Sequence, residues 1–377
     1  MIYLDNSATT RLDPEVLEAM LPFLQEEYGN PSSKHYTLAQ NAKKATDEAR
    51  FHVSQLMGCK PDEVIFTSGS TESNNMILKG IMDFYSDQGR HLVVSKSEHS
   101  SILETAKFLE KMGHEVTYLN VDKYGRVHIE ELETLVKVPQ KPLLVSIIWG
   151  NNETGSINDI RYIAELCKEN NILLHTDATQ VLGKIDVRDS MEGIRFVSCS
   201  AHKLHGPKGI GASIIKKDEL GIKTQITPLI HGGGQEFDYR SGTISTHNIV
   251  GFGKAAEIAL REIEQTQKKL KQLESYLISK LRERFNEIMH LNSDTENKIP
   301  GIVNIRFDEV DNEFLIQELG SKVALSTGSA CSSSKPSHVL LSMGLSLEQV
   351  RSSVRISLSK YNTLKEIDEL CKMLAGE

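Results

Sequence analysis

Lys203 lies in Ser198-Cys199-Ser200-Ala201-His202-Lys203-Leu204-His205-Gly206, just past an apolar run. Held near an apolar wall and another cation, an amine gives up its proton more easily and can form an imine with a carbonyl compound. The ordinary alternative is a solvated surface lysine. Asp177 follows the apolar run Leu173 to Thr176, at the C-terminal end of an expected strand, where parallel sheets bind ligands. A carboxylate there can pair with a protonated ring nitrogen, or simply cap a helix. A third segment, Val64 to Asn74, reads as a strand, a small polar turn (Ser68-Gly69-Ser70-Thr71) and a helix start. Backbone N–H groups and the helix dipole at such a turn suit a phosphate, although a Ser/Thr followed by Glu72 is also a capping box. The Gly-Lys-Ser/Thr of a nucleotide P-loop is absent.

Taken together, a phosphate cradle, an aspartate and a lysine at successive strand ends form the set that pyridoxal phosphate chemistry needs. They would anchor the phosphate, keep the ring nitrogen protonated and hold the aldehyde as an imine. Cys331 lies in a different setting, the small polar stretch Ser326-Thr327-Gly328-Ser329-Ala330-Cys331-Ser332-Ser333-Ser334. The stretch reads as a mobile loop in which a thiolate could reach a bound ligand, with an inert loop thiol as the plain alternative. The other cysteines, Cys59, Cys167, Cys199 and Cys371, sit in helical or strand patterns that imply core packing. With five cysteines scattered and no Cys-x-x-Cys pair, neither a disulfide framework nor a zinc site fits.

The elements that must position these residues follow from periodicity. Strand-like runs alternate with helical patterns from about 60 to 215, the signature of a mainly parallel, helix-covered sheet. Seven strands are expected: 63–67, 92–95, 115–119, 143–149, 173–176, 196–200 and 211–215. Helices are expected at 72–85, 101–111 and 160–169. A long polar-faced helix from Lys254 to about Ile288 leads into a second, α+β unit with strands at 302–307 and 324–327. Its helices are expected near 312–319, 337–342 and 363–375. The 377 residues allow two lobes: a large domain, 14–255, and a small domain formed by 1–13 and 256–377 that carries the Cys331 loop. A net charge of −8 provides no general basic field, so direct nucleic-acid binding is not expected. Neither a leader-like N-terminus nor a membrane-length apolar run is found, which implies a cytoplasmic protein.

The joint pattern resembles the cysteine desulfurase branch of the class V aminotransferases, fold-type I pyridoxal-phosphate enzymes. It extends from Tyr3-Leu4-Asp5-Asn6-Ser7-Ala8-Thr9-Thr10 through Gly29-Asn30-Pro31-Ser32-Ser33 to Arg351-Ser352-Ser353-Val354-Arg355. The resemblance implies that Lys203 binds the cofactor covalently, that Asp177 partners the ring nitrogen and that His99 stacks on the ring. Ser70, Thr71, Ser200 and His202 take phosphate-binding positions, and Gln180 contacts the ring hydroxyl. Asn152 contacts cofactor and substrate, and Arg355 grips the substrate carboxylate, which suits a planar guanidinium. Thr243 reaches the phosphate of a neighbouring subunit, so a homodimer is implied.

By the same resemblance, L-cysteine becomes L-alanine and its sulfur passes to Cys331 as a persulfide, then to an acceptor protein. Lys203 would move the proton at the substrate carbon, and His99 the proton at the substrate thiol. Iron–sulfur clusters, thiolated tRNA and phosphorothioate DNA are the implied destinations. The Cys331 loop is shorter than the usual pattern, Ser332 replaces a usual Thr, and the sequence stops at Glu377 without the extension of housekeeping members. These departures favour a specialised pathway. Rival readings are a selenocysteine lyase, a related transaminase, and a non-catalytic scaffold of the same fold.

Overall fold

The structure, a computed structural model, describes residues 1–218, 220–328 and 335–377. The strands are β1 (Ile2–Tyr3), β2 (Val64–Thr67), β3 (His91–Ser95), β4 (Glu115–Leu119), β5 (Leu144–Ser146), β6 (Leu173–Asp177), β7 (Phe196–Ser200) and β8 (Gly211–Ile215). They continue with β9 (Met289–Leu291), β10 (Ile302–Phe307), β11 (Val323–Ala324) and β12 (Ser353–Ser357). Within the described residues, β2 to β8 form one seven-stranded sheet in the order β2-β8-β7-β6-β5-β3-β4. Its pairings are parallel except along β8, which runs antiparallel to β2 and β7. The expected mainly parallel sheet is therefore present.

Both faces of the sheet are covered, which explains why its strands are apolar without polar alternation. Val64 and Phe66 join one core cluster and Ile65 the other, as successive side chains of a strand must. β5 is shorter than the expected 143–149. Beyond it the chain stays beside β6, with the amides of Ile147 and Trp149 donating to the carbonyls of His175 and Asp177 (both 3.1 Å). Helices Ser70–Phe84, Ser100–Lys111 and Ile160–Glu169 match the sequence pattern to within two residues.

The long helix runs over Thr246–Phe285 and starts before the expected Lys254. Gly253, just before the expected start, is a packing contact inside the helix, and so is Gly251. A Cβ on Gly253 would meet Ala49 Cα at 2.4 Å, and one on Gly251 would meet Met20 Sδ at 2.6 Å. Their partners lie on helices Thr37–Met57 and Pro14–Gln25, which pack on the long helix. Small residues here let backbones approach and do not stop the helix.

β12, β10 and β9 form an antiparallel sheet, and β1 pairs in parallel with β11. A separate core there joins Leu4 to Leu273 and Leu277 of the long helix, to Val303 and Ile305, and to Val354 and Ile356. The expected strand 324–327 is reduced to β11, after which Ser326 bridges to Arg355 on β12. Among the described residues, no helix is long and apolar enough to cross a membrane.

Candidate active site

The C-terminal ends of the parallel strands open into a cavity of about 510 Å3. Ser70, Thr71, His99, Asn152, Asp177, Gln180, His202, Lys203 and Arg355 all line it. An adjoining recess is lined by Ser200 and shares Ser70, Thr71 and His202. Thr243 is exposed and borders neither space. Cys331 lies outside the described residues.

Lys203 ends the short turn Ala201–Lys203 that follows β7. Its Nζ donates to the carbonyls of Ser7 (2.5 Å) and Ala8 (2.6 Å). Burial lowers its pKa to about 8, and the Arg355 charge adds to the shift, while Asp5 and Asp177 oppose it. A substantial fraction of neutral amine at physiological pH follows.

Asp177 closes β6 and is 4% exposed. Its Oδ1 accepts from the amide of Thr179 (2.9 Å) and its Oδ2 from Asn74 Nδ2 (2.9 Å). Those two bonds fix the carboxylate plane. Gln180, one turn on, has its orientation set by Lys184, which can only donate: Lys184 Nζ meets Gln180 Oε1 at 2.9 Å. Gln180 Nε2 therefore faces the other way, donating one hydrogen to Ser7 O (2.9 Å) and keeping a second. Burial, then the nearby Lys203 and Arg355 charges, bring the Lys184 ammonium down to about 7.

His99 caps helix Ser100–Lys111, with Nδ1 accepting from the Ser101 amide at 3.2 Å. Burial lowers its pKa, and the pull of Asp177 only partly opposes that. Burial likewise holds His202 down to about 4, reinforced by Lys203, so this imidazole is neutral. Arg355, on β12, is wholly buried; its Nη1 donates to the carbonyls of Asn152 (3.0 Å) and Gly328 (2.9 Å).

The hydroxyls of Ser70 and Thr71 stand at the start of helix Ser70–Phe84, where backbone amides lack intrahelical partners. Gly69 and Gly211 let that turn approach β8: a Cβ on Gly211 would lie 2.7 Å from Gly69 Cα. Hydroxyls, a helix start and a neutral imidazole beside a lysine and a fixed carboxylate fit a phosphorylated pyridine aldehyde. The buried Oγ1 of Thr179 and Oγ of Ser7, both at the cavity and without a hydrogen-bond partner, leave polar capacity for a ligand.

Sequence reasoning missed several residues that shape this cavity. Asn74 is fully buried, Glu98 precedes His99 in the chain with its carboxyl pushed up to about 8 by burial, and His338 Nε2 donates to Glu98 O, 2.8 Å away. Because a carbonyl only accepts, His338 carries its proton on Nε2. For Asn74 a signal was available, a polar side chain four residues after Ser70 on the same helical face.

Comparison with known proteins agrees with this arrangement. Residues 2–370 match the family described as aminotransferase class-V. The cysteine desulfurase IscS of Dictyoglomus turgidum is 42% identical over 370 residues, covering 97% of this chain and 92% of that protein. A solved NifS-like protein superposes with a TM-score of 0.91 at 37% identity, covering 100% of this chain and 98% of the other. SspA in complex with cysteine gives a TM-score of 0.81 at 34% identity, covering 96% and 100%. With the fold, the strand-end lysine and aspartate, and a match running almost from end to end, the chain belongs to the class-V aminotransferase family.

Proposed function

We propose that this protein is a pyridoxal-phosphate-dependent cysteine desulfurase that converts L-cysteine to L-alanine and takes the sulfur onto Cys331. The observation that carries the reading is Lys203, an amine with its pKa lowered to about 8, in one cavity with Asp177, His99 and Arg355. The similarity to cysteine desulfurases and to a cysteine-bound neighbour supports the choice of substrate.

Bound in the cavity, pyridoxal phosphate would supply the electron sink that loosens bonds at the substrate's carbons. In this reading Ser70, Thr71, Ser200 and His202 hold the phosphate, with Thr243 of a second subunit completing it in a homodimer. Asp177 would keep the ring nitrogen protonated, Gln180 would offer its spare N–H to the ring hydroxyl, and His99 would cover the ring. Arg355 and Asn152 orient the substrate carboxylate. Lys203 moves the proton at the substrate α-carbon. The Cys331 thiolate then attacks the substrate sulfur: an S–S bond forms, the C–S bond breaks, and its electron pair stays with the carbon skeleton, which is protonated to alanine. The persulfide passes to an acceptor protein, for iron–sulfur assembly, tRNA thiolation or DNA phosphorothioation. The reading includes a cytoplasmic location and a division into a large domain, 14–255, and a small domain of 1–13 and 256–377.

The test is alanine and sulfide release from L-cysteine by the cofactor-loaded protein with a reductant present. Activity in the wild type that is lost in Cys331→Ala is the expected result. A Cys331→Ala protein that releases sulfide at the wild-type rate would refute the assignment.

A further inference from the structure

Asn74, Ser101 and His99 form a chain in which the hydrogen-bond roles can be assigned without ambiguity. Asn74 Nδ2 donates both of its hydrogens, one to Asp177 Oδ2 (2.9 Å) and one to Ser101 Oγ (2.9 Å). A carboxylate can only accept, which fixes the amide orientation, and Asn74 Oδ1 accordingly has no partner. With a lone pair of Ser101 Oγ taken, its own proton is available for His99 Nδ1, 2.8 Å away. The backbone amide of Ser101 also points at His99 Nδ1 (3.2 Å), and an amide N–H cannot reverse its role. His99 Nδ1 is thus met by two donors and holds a lone pair. The polar atom left for the cavity is Nε2, and it bears the proton.

We infer that Asn74 and Ser101 are positioning residues that lock His99 as a neutral, Nε2–H imidazole and tie that state to the Asp177 carboxylate. The tautomer stands on the geometry alone; its meaning for turnover rests on the desulfurase reading. There, His99 meets the substrate as a neutral hydrogen-bond donor at Nε2. Nε2 already carries a proton and has no free lone pair to take the thiol proton of L-cysteine, and a proton placed on Nδ1 instead would face two donors there. The ionisable groups around the ring are Asp177 from β6, Lys203 from the turn after β7 and His338 from helix His338–Ser342, with Glu98 adjoining in the chain. Asp177 favours the imidazolium, and Lys203 and His338 oppose it.

The test uses cofactor-free protein labelled with 15N in its histidine rings, followed by NMR across pH, with His99 assigned from the loss of its signals in His99→Gln. Wild type should show His99 with Nε2 protonated and Nδ1 bare at neutral pH. Asn74→Asp replaces the donor by an acceptor, so that Ser101 turns its proton away from His99, and the His99 titration should move up by about one pH unit. Ser101→Ala removes one donor and should move it up by less. If Asn74→Asp does not fold, the Ser101→Ala shift and the wild-type tautomer still decide. A wild-type His99 protonated on Nδ1, or a Ser101→Ala titration that coincides with wild type, overturns the inference. These readouts require no turnover, so absence of alanine formation would refute the desulfurase reading and leave the tautomer result standing.

Discussion

The guanidinium of Arg355 is 2.7 Å from the carboxylate of Asp5, a residue 350 positions earlier in the chain. The arginine side chain is 0% exposed and the aspartate side chain 20%, so the pair is largely withdrawn from water. Arg355 Nε has no partner. A substrate carboxylate that binds Arg355 therefore meets a guanidinium already neutralised, and must share it with Asp5 or displace it.

Asp5→Asn tests that competition. Removing the charge weakens a charge-assisted bond and leaves Arg355 with carbonyl acceptors, so stability should fall by ~1–3 kcal/mol in urea denaturation. On the desulfurase reading, KM for L-cysteine should fall several-fold in the same variant, because the rival anion is gone. A raised KM would show that Asp5 helps to hold the substrate.

Glu98 gives a pH-dependent stability of defined sign. Its carboxyl accepts from Ser95 Oγ and the Ile148 amide (both 2.7 Å), but burial and the Asp177 charge hold its pKa up at about 8. The folded state keeps this proton to about pH 8, whereas the unfolded chain releases it near 4.5. The stability it contributes is complete below about pH 4.5 and declines as pH rises to about 8. Glu98→Gln should be more stable than wild type by ~1–3 kcal/mol at pH 8, with the gap closing towards pH 5 in denaturant titrations.

Lys203 must be unprotonated to attack an aldehyde. With its pKa lowered to about 8, uptake of pyridoxal phosphate by cofactor-free protein should accelerate nearly tenfold per pH unit below that point and level off above it. Stopped-flow absorbance would follow this. Arg355→Gln removes the second-largest cause of the depression and should move the midpoint upwards. Borohydride reduction followed by peptide mass analysis should place the pyridoxyl group on Lys203.

Gly211→Ala should disturb the Ser68–Thr71 turn without removing any polar side chain. The added Cβ would lie 2.4 Å from Cys199 O and 2.7 Å from Gly69 Cα, backbone atoms that can move only if the sheet moves. A loss of ~1–3 kcal/mol is expected, read as a lower thermal midpoint, together with weaker retention of pyridoxal phosphate on dialysis.

The strand-end positions of Asp177 and Lys203 were legible because parallel strands leave continuous apolar runs, and the residue after each run must lie at the sheet edge. Ser70 and Thr71 were legible for the same reason. The Asp5–Arg355 pair and the contact between His338 and the Glu98 carbonyl were not, since each joins segments far apart in sequence with no local pattern to announce it. The start of the long helix was placed too late, after Gly253, because a glycine needed for close packing and a glycine that ends a helix look alike in one dimension. Helices Pro14–Gln25 and Thr37–Met57 lay before the alternating region and carried no chemistry to draw attention to them, although Asp13 followed by Pro14 is an ordinary helix start.

The first ten residues bear on when this site can exist during synthesis. β1 pairs with β11, Asn6 donates to Ser357 O (2.8 Å), Ser7 and Ala8 receive the Lys203 ammonium, and the Thr10 hydroxyl donates to His202 O (2.9 Å). The leading segment leaves the ribosome before any of these partners has been translated. Its Lys203 and His202 partners lie about two hundred residues further on, but β11 and Ser357, which anchor the segment on either side of the cradle, lie more than three hundred residues on. A ribosome-bound chain stalled before β11 would already have the central sheet and its lysine, yet lack the clasp that holds the amine in place.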